Sequence, residues 1–168
     1  MNTLELVDIV DEADAVIRQA PRSEMRRERL RHRSVYILVF NSKREIFIHR
    51  RTATKDVYPS YWDVAVGGVV AAGEDYDDGA RRELAEELGF VSVALERLFP
   101  FRFEDAHARV NGMVYVCRSD QPPRLQAEEI EVGEWVEPVD VPQLAKSQRF
   151  CPDGLAAFER YRNLTSRV

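Results

Sequence analysis

The stretch from Gly73 to Gly89 reads as a helix with both ends marked. Asp75 stands where a capping side chain is needed, Asp78 follows three residues later, and the first turn carries further negative charge. Gly89 is placed to stop the helix in a left-handed conformation. At about 100° per residue, Ala80, Leu84 and Leu88 share one stripe, which has to face a core. Glu83 and Glu87 then stand one turn apart on the adjoining stripe, with Glu86 beside them. Like charges at this spacing destabilise a helix by about 0.2–0.5 kcal/mol, and by more where water is excluded. Such a cluster beside an apolar stripe either stays in solvent or is neutralised by a cation. Hard oxygen ligands so arranged suit Mg²⁺ or Mn²⁺.

The rest of the chain reads as strands in runs with helices inserted late. Residues 4–10 and 15–18 flank the polar stretch Asp11–Asp14 as a hairpin, and a charged helix opens at Pro21 and Ser23 and runs to about Arg31. Strands are expected at 32–40 and 45–49, joined by a turn at Asn41–Arg44, and at 62–70, interrupted by Gly67-Gly68. Further strands are expected at 90–97, 99–104, 111–118 and 132–137, and closing helices at 139–146 and 153–163. This order suggests a mixed sheet covered by helices on both faces. With 168 residues and no repeat or linker, the chain is expected to form a single domain, 1–168, with residues 1–31 as an N-terminal extension.

Composition narrows the classes. No apolar run approaches the roughly 20 residues of a membrane span, and Glu5, Asp8, Asp11 and Glu12 sit where a signal peptide would be basic. Cys117 and Cys151 form no disulfide framework, and His32, His49 and His107 are scattered, so a zinc site has no support. A cytoplasmic protein with two reduced thiols is expected. The net charge of −5 argues against nucleic-acid binding. Between Arg22 and Arg33 there are six arginines against two glutamates. The plain reading is a solvated helix face, and the sharper one is an anion-binding edge near an active site.

From Gly68 the chain runs Gly68-x5-Glu74-x7-Arg82-Glu83-Leu84-x-Glu86-Glu87-x-Gly89-Phe90. This segment resembles the 23-residue signature of the Nudix hydrolase family at every fixed position. Ile46–Arg51, Tyr58-Pro-Ser-Tyr-Trp62 and Glu134-Trp135-Val136 resemble the segments that usually flank it. The resemblance implies an α/β fold, an α/β/α sandwich around a mixed sheet, with the signature as a loop–helix–loop. It implies Glu83, Glu86 and Glu87 as metal-binding carboxylates and the carbonyl of Gly67 as a backbone ligand. Arg82 would orient Glu74 or Glu86, with Gly68, Glu74 and Gly89 shaping the motif. The implied reaction is Mg²⁺- or Mn²⁺-dependent hydrolysis of a phosphoanhydride in a nucleoside diphosphate linked to another group. The implied partner is a small nucleotide-type substrate, with no nucleic acid or membrane, and a homodimer is compatible.

A general base outside the helix could be Glu104, Asp105, Glu128, Glu129 or Glu131, of which Glu131 is the first choice. Arg50, Arg51 and Lys55 are candidates to hold phosphates beyond the metals, and Tyr58, Tyr61, Trp62 and Phe103 could stack on a base. The N-terminal extension, His32-Arg33 and Arg50-Arg51 resemble the isopentenyl-diphosphate isomerase-like branch. The isomerases, however, use a cysteine where Gly67 stands and a histidine where Val69 stands, and Cys117 is remote in the pattern. A non-catalytic nucleotide-binding module would be expected to lose signature glutamates, and none is lost. Ser60 and Val66 replace a common glycine and proline, which affects loop shape and substrate choice.

Overall fold

The computed structural model describes residues 4–166; residues 1–3 and 167–168, the ends of the expected 1–168 domain, lie outside the described residues. The strands are β1 (Leu6–Val10), β2 (Val16–Pro21), β3 (Arg31–Phe40), β4 (Ile46–Arg51), β5 (Trp62–Asp63), β6 (Val66–Val69), β7 (Leu95–Glu104), β8 (Arg109–Arg118) and β9 (Ile130–Val136). The helices are α1 (Arg22–Arg27), α2 (Tyr76–Leu88), α3 (Val141–Ser147) and α4 (Pro152–Thr165).

The apolar run of β3 makes it the spine of one mixed sheet. It pairs in parallel with β8 along its whole length, from Arg31↔Arg109 to Phe40↔Arg118. Its other edge meets β1, β6 and β4 in turn, all antiparallel. Side chains alternate across a strand, and this alternation splits the core in two. Val35, Ile37 and Val39 pack with Ala80, Leu84 and Leu88 of α2. Tyr36, Leu38 and Phe40 pack with Val141 of α3 and Ala157 and Phe158 of α4. Helices thus cover both faces, as expected for a sandwich.

Beside their turn β3 and β4 pair at Phe40↔Ile46, and then they part. From there β6 runs along β3, while β5 and β9 run along β4. The divergence opens the middle of the molecule, and the functional residues gather there.

Several boundaries differ from expectation. The strand expected over 62–70 is two short ones, because Asp63 Oδ1 accepts from the Ala65 amide at 3.0 Å and turns the chain between them. The strands expected at 90–97 and 99–104 are one strand, β7, with a bulge between Arg97 and Phe99, while 91–94 is irregular. Helix α1 ends at Arg27 rather than near Arg31, because Arg29 takes φ 53° and the chain enters β3. No helix among the described residues is long and apolar enough to cross a membrane.

Candidate active site

Helix α2 has the expected caps. Asp75 accepts from the Asp78 amide at 2.8 Å, and Gly89 is left-handed with φ 69°. With Leu84 and Leu88 in the core, Glu87 is carried inward to 6% exposure, while the Glu83 side chain is 12% exposed and that of Glu86 49%. Burial, followed by the charge of Glu83, holds the Glu87 carboxyl well above the usual carboxylate range; burial also raises Glu83.

Arg82 organises the acidic groups through its five N–H donors. Nε and Nη2 fork onto Glu74 at 2.8 and 3.0 Å, and Nη1 reaches Glu83 at 2.8 Å and Glu86 at 3.3 Å. Nη2 also donates to the Val69 carbonyl at 3.2 Å. Lysine has three donors and no planar fork, so it cannot reproduce this set. Arg82→Lys should therefore lower turnover by about 10- to 100-fold although the charge is kept. Wild-type turnover in steady-state assays would return Arg82 to a surface role.

The cleft beside these glutamates is lined by Glu83, Glu86, Glu87, Gly67, Gly68 and Arg82, with Lys55 and Glu129 opposite. Gly68 keeps it open: a Cβ there would lie 2.8 Å from Glu83 Oε1. The donor set, buried carboxylate oxygens with no ion pair to Glu87 among the described residues, fits a hard divalent cation. Among those residues no three acidic, histidine or cysteine side chains converge into a finished cage. Arg82 meanwhile binds one oxygen each of Glu83 and Glu86.

The remaining candidates divide by strand face. Arg50 and Arg51 are adjacent on β4, so they point to opposite sides. Arg50 turns outward and makes a forked pair with Glu131, at 3.1 and 2.8 Å, across the β4–β9 ladder. Both are thus engaged away from the cleft, and neither lines it. Arg51 turns inward and donates to the Val57 carbonyl, and Lys55 pairs with Glu129 at the cleft. Of the five proposed bases, Glu129 alone lines the cleft. Glu104 pairs with Arg31 and Arg109, Asp105 caps the β7–β8 turn, and Glu128 offers its backbone carbonyl to Thr52. Trp62 is buried in the core beside Phe150 rather than free to stack on a ligand.

The arginine-rich stretch departs from its plain reading, and a second feature escaped the sequence altogether. Arg22 and Arg26 are not a solvated face: they pair with Glu5 and Asp56 and line a cavity next to the cleft. At the inner end of that cavity sit Asp63, Asp153, Tyr36 and Cys151. The clustering of arginines was the signal for the first; the second joins residues 90 apart in sequence and left no signal.

Burial, then the charge of Asp153, pushes the Asp63 carboxyl from 3.8 up to about 7. Its folded pKa lies above its unfolded one, so its stabilisation is complete below about pH 3.8 and is lost as pH rises through about 7. Asp63→Asn cannot ionise, and its amide oxygen can still accept from Ala65. Its melting temperature should therefore gain on the wild type between about pH 4 and pH 8. Buried His32, held down to about 4, gives the wild type the opposite slope below its ordinary value of 6.5, but it contributes equally to both proteins. Parallel melting curves across that range would refute the assignment.

Comparisons with known proteins establish the family and the fold. The family model for the NUDIX domain matches residues 30–153. An uncharacterized Nudix hydrolase of Pseudomonas aeruginosa, PA4841, is 44% identical over 157 residues, 94% of this chain and 93% of that one. The uncharacterized Nudix hydrolase YfcD of Escherichia coli K12 is 42% identical over 153 residues, 91% of this chain and 84% of that one. Among solved structures, DR0079 from Deinococcus radiodurans superposes with a TM-score of 0.82 at 32% identity, covering 93% of this chain and 98% of that one. With the signature complete from Gly68 to Phe90 and three-quarters of the chain inside the domain, this protein belongs to the Nudix hydrolase family.

Proposed function

We propose that the protein hydrolyses a phosphoanhydride bond in a nucleoside diphosphate linked to a further group, with Mg²⁺ or Mn²⁺ held by Glu83, Glu86, Glu87 and the carbonyl of Gly67. The observation that carries this reading is the pair Glu83 and Glu87: two carboxylates one turn apart, both largely buried, beside a glycine-lined notch. When bound, the metal neutralises the diphosphate and lowers the pKa of a coordinated water. Arg82 positions Glu83 and Glu86 and ties them to the Glu74 loop. Glu129, which lines the cleft and pairs with Lys55, is the base in this reading in place of Glu131. Lys55 and Arg22 line the same cleft and supply positive charge for phosphate oxygens. The described part of the extension, residues 4–31, belongs to the same working unit, since α1 contributes Arg22.

The test is a panel of nucleoside diphosphate derivatives with and without Mg²⁺ or Mn²⁺, scored by the products formed. Metal-dependent release of a phosphorylated product from at least one member is expected. No hydrolysis of any member would overturn the reading. Isopentenyl diphosphate in the same panel should give no allylic product: Gly67 and Val69 carry no acid or base, and Cys117 is buried on β8.

A further inference from the structure

The cavity beside the cleft lies where the sheet divides, walled by β3, β5, β6 and α1. Cavity and cleft share Arg22, Lys55 and Gly67–Val69, so they form two compartments of one opening. The inner compartment has a volume of about 80 Å³, about half of the roughly 150 Å³ that admits benzene and the share of about two to three liquid waters. That space excludes a ring and suits one compact polar group.

Its walls are cationic. Arg22, Arg26, Arg51 and Lys55 stand against the carboxyls of Asp63 and Asp153 at the inner end. Lys55 is committed to Glu129, but the arginines are only partly engaged. Arg26 Nε pairs with Asp56 at 3.1 Å, Arg22 Nε lies 3.5 Å from the same carboxylate, and Arg22 Nη1 donates to Glu5 at 3.0 Å. Arg51 donates Nε and Nη2 to the Val57 carbonyl and has no carboxylate partner among the described residues. Arg22 Nη2, both terminal nitrogens of Arg26 and Arg51 Nη1 therefore have no hydrogen-bond partner among those residues. Burial lowers the Arg26 guanidinium from its ordinary value, Asp56 offsets this only in part, and neighbouring Arg22 adds to it. Guanidinium groups with free N–H edges around a compact space fit a small tetrahedral oxyanion, which accepts from several of them at once.

The inner end adds a second requirement. Tyr36 Oη donates to Asp153 Oδ2 at 3.0 Å, while Asp153 Oδ1 is buried with no hydrogen-bond partner among the described residues. Asp63, 9% exposed, lies so close to the start of α4 that a Cβ on Gly154 would be 2.0 Å from its Oδ1. A bare anion would set its oxygens against these carboxyls. An anion that carries a hydrogen turns its O–H toward them instead. Hydrogen phosphate keeps one P–OH at neutral pH, whereas sulfate has none. The arginines of α1 precede residue 30, where the family-wide domain begins, so this compartment is partly built from the chain's own extension.

We propose that this cavity binds inorganic phosphate, held as hydrogen phosphate with its oxygens on Arg22, Arg26 and Arg51 and its P–OH turned to the carboxyl pair Asp63 and Asp153. The site goes beyond the hydrolase reading and does not depend on it, since neither a metal nor a scissile bond takes part. The phosphate of a nucleotide presents the same kind of oxygens but, with a second pKa of about 6, no hydrogen above neutral pH.

The experiment titrates phosphate, sulfate and AMP into the metal-free protein by calorimetry at constant ionic strength. A buffer of about pH 8 leaves AMP without a phosphate hydrogen and lies above the value of about 7 to which Asp63 is raised. The wild type should bind phosphate at least about tenfold more tightly than sulfate or AMP, the scale of one buried acceptor left unmatched. Arg26→Gln should weaken phosphate binding by at least about tenfold. Asp153→Asn offers an NH₂ to an oxyanion that lacks a hydrogen, so the preference over sulfate should fall to within about threefold. If that variant fails to fold, the wild-type selectivity and Arg26→Gln decide the matter. No phosphate binding by the wild type at millimolar concentration, or equal binding of sulfate, overturns the proposal. So does unchanged phosphate affinity in a folded Arg26→Gln, or a preference that survives in a folded Asp153→Asn. AMP bound as tightly as phosphate would assign the compartment to an esterified phosphate and overturn the proposal likewise. None of these readouts involves turnover, so the hydrolase reading stands or falls separately on its own substrate panel.

Discussion

Glu87→Gln should reduce hydrolysis by at least about a hundredfold and remove most of the stabilisation that a divalent cation confers. Binding to the native state alone stabilises it by roughly 2.7 kcal/mol when metal is at about a hundred times its dissociation constant. For a chain of this size that corresponds to a rise of about 5–10 °C in melting temperature. The rise should shrink in the glutamine variant, because one buried ligand has become a neutral amide. Without metal, the variant should be as stable as the wild type or slightly more so. It removes the cost of burying an ionisable acid beside Glu83 and opens no cavity, and glutamine preserves the shape packed beside Leu84 and Leu88. A purely acidic helix face predicts little metal response in either protein and normal turnover in the variant. That outcome, measured on a substrate the wild type hydrolyses, would end the metal-site assignment.

The second large effect concerns the two adjacent glycines, which should fail in different ways. Gly67 sits at φ 154° opposite Tyr36 in the β3–β6 ladder, and a Cβ there would lie 2.0 Å from the Val35 carbonyl oxygen. That neighbour is backbone in the spine of the sheet and cannot step aside. Gly67→Ala should therefore cost at least about 4 kcal/mol, a fall of about 10 °C or more, or prevent folding. Gly68→Ala meets the carboxylate end of Glu83 instead, 2.8 Å away. A side-chain end can move, so the loss of stability should be small, while the displaced Glu83 should weaken both the metal response and turnover. Thermal melts with and without Mg²⁺ separate the two cases. Equal melting temperatures for Gly67→Ala and the wild type would show that the ladder tolerates a shift the packing does not suggest.

Most signals that act within a few residues were read correctly from the chain. The α2 helix needed only Asp75, the Ala80–Leu84–Leu88 stripe and Gly89, and its glutamates followed from the helical period. Helices on both faces were expected from the order of the elements, strands in runs with helices inserted late, and the two core clusters bear this out. One local signal was missed, the turn that Asp63 makes by accepting from the Ala65 amide; other errors fall where a second segment decides, as in β7, whose bulge is set by its register with β8. Glu129 lies just before β9 and Glu131 is the extra residue where the β4–β9 register shifts, while Arg51 rather than Arg50 lines the adjoining cavity. One step along a strand reverses the face, so no composition rule could choose between them.

The acidic face of α2 was thus legible in one continuous stretch, because a single helix carries all three glutamates. The compartment beside it was not. Arg22 comes from the first helix, Tyr36 from the central strand, Asp63 from a two-residue strand and Asp153 from the last helix. Each of these residues is unremarkable in its own neighbourhood. The close approach of Asp63 to the start of α4, and the unmatched Asp153 oxygen, arise only when the divided sheet brings together segments some 90 residues apart. Hydrogen bonding within a helix records itself in the sequence through spacing, whereas contact between distant segments is settled by sheet register and core packing, which involve the whole chain at once.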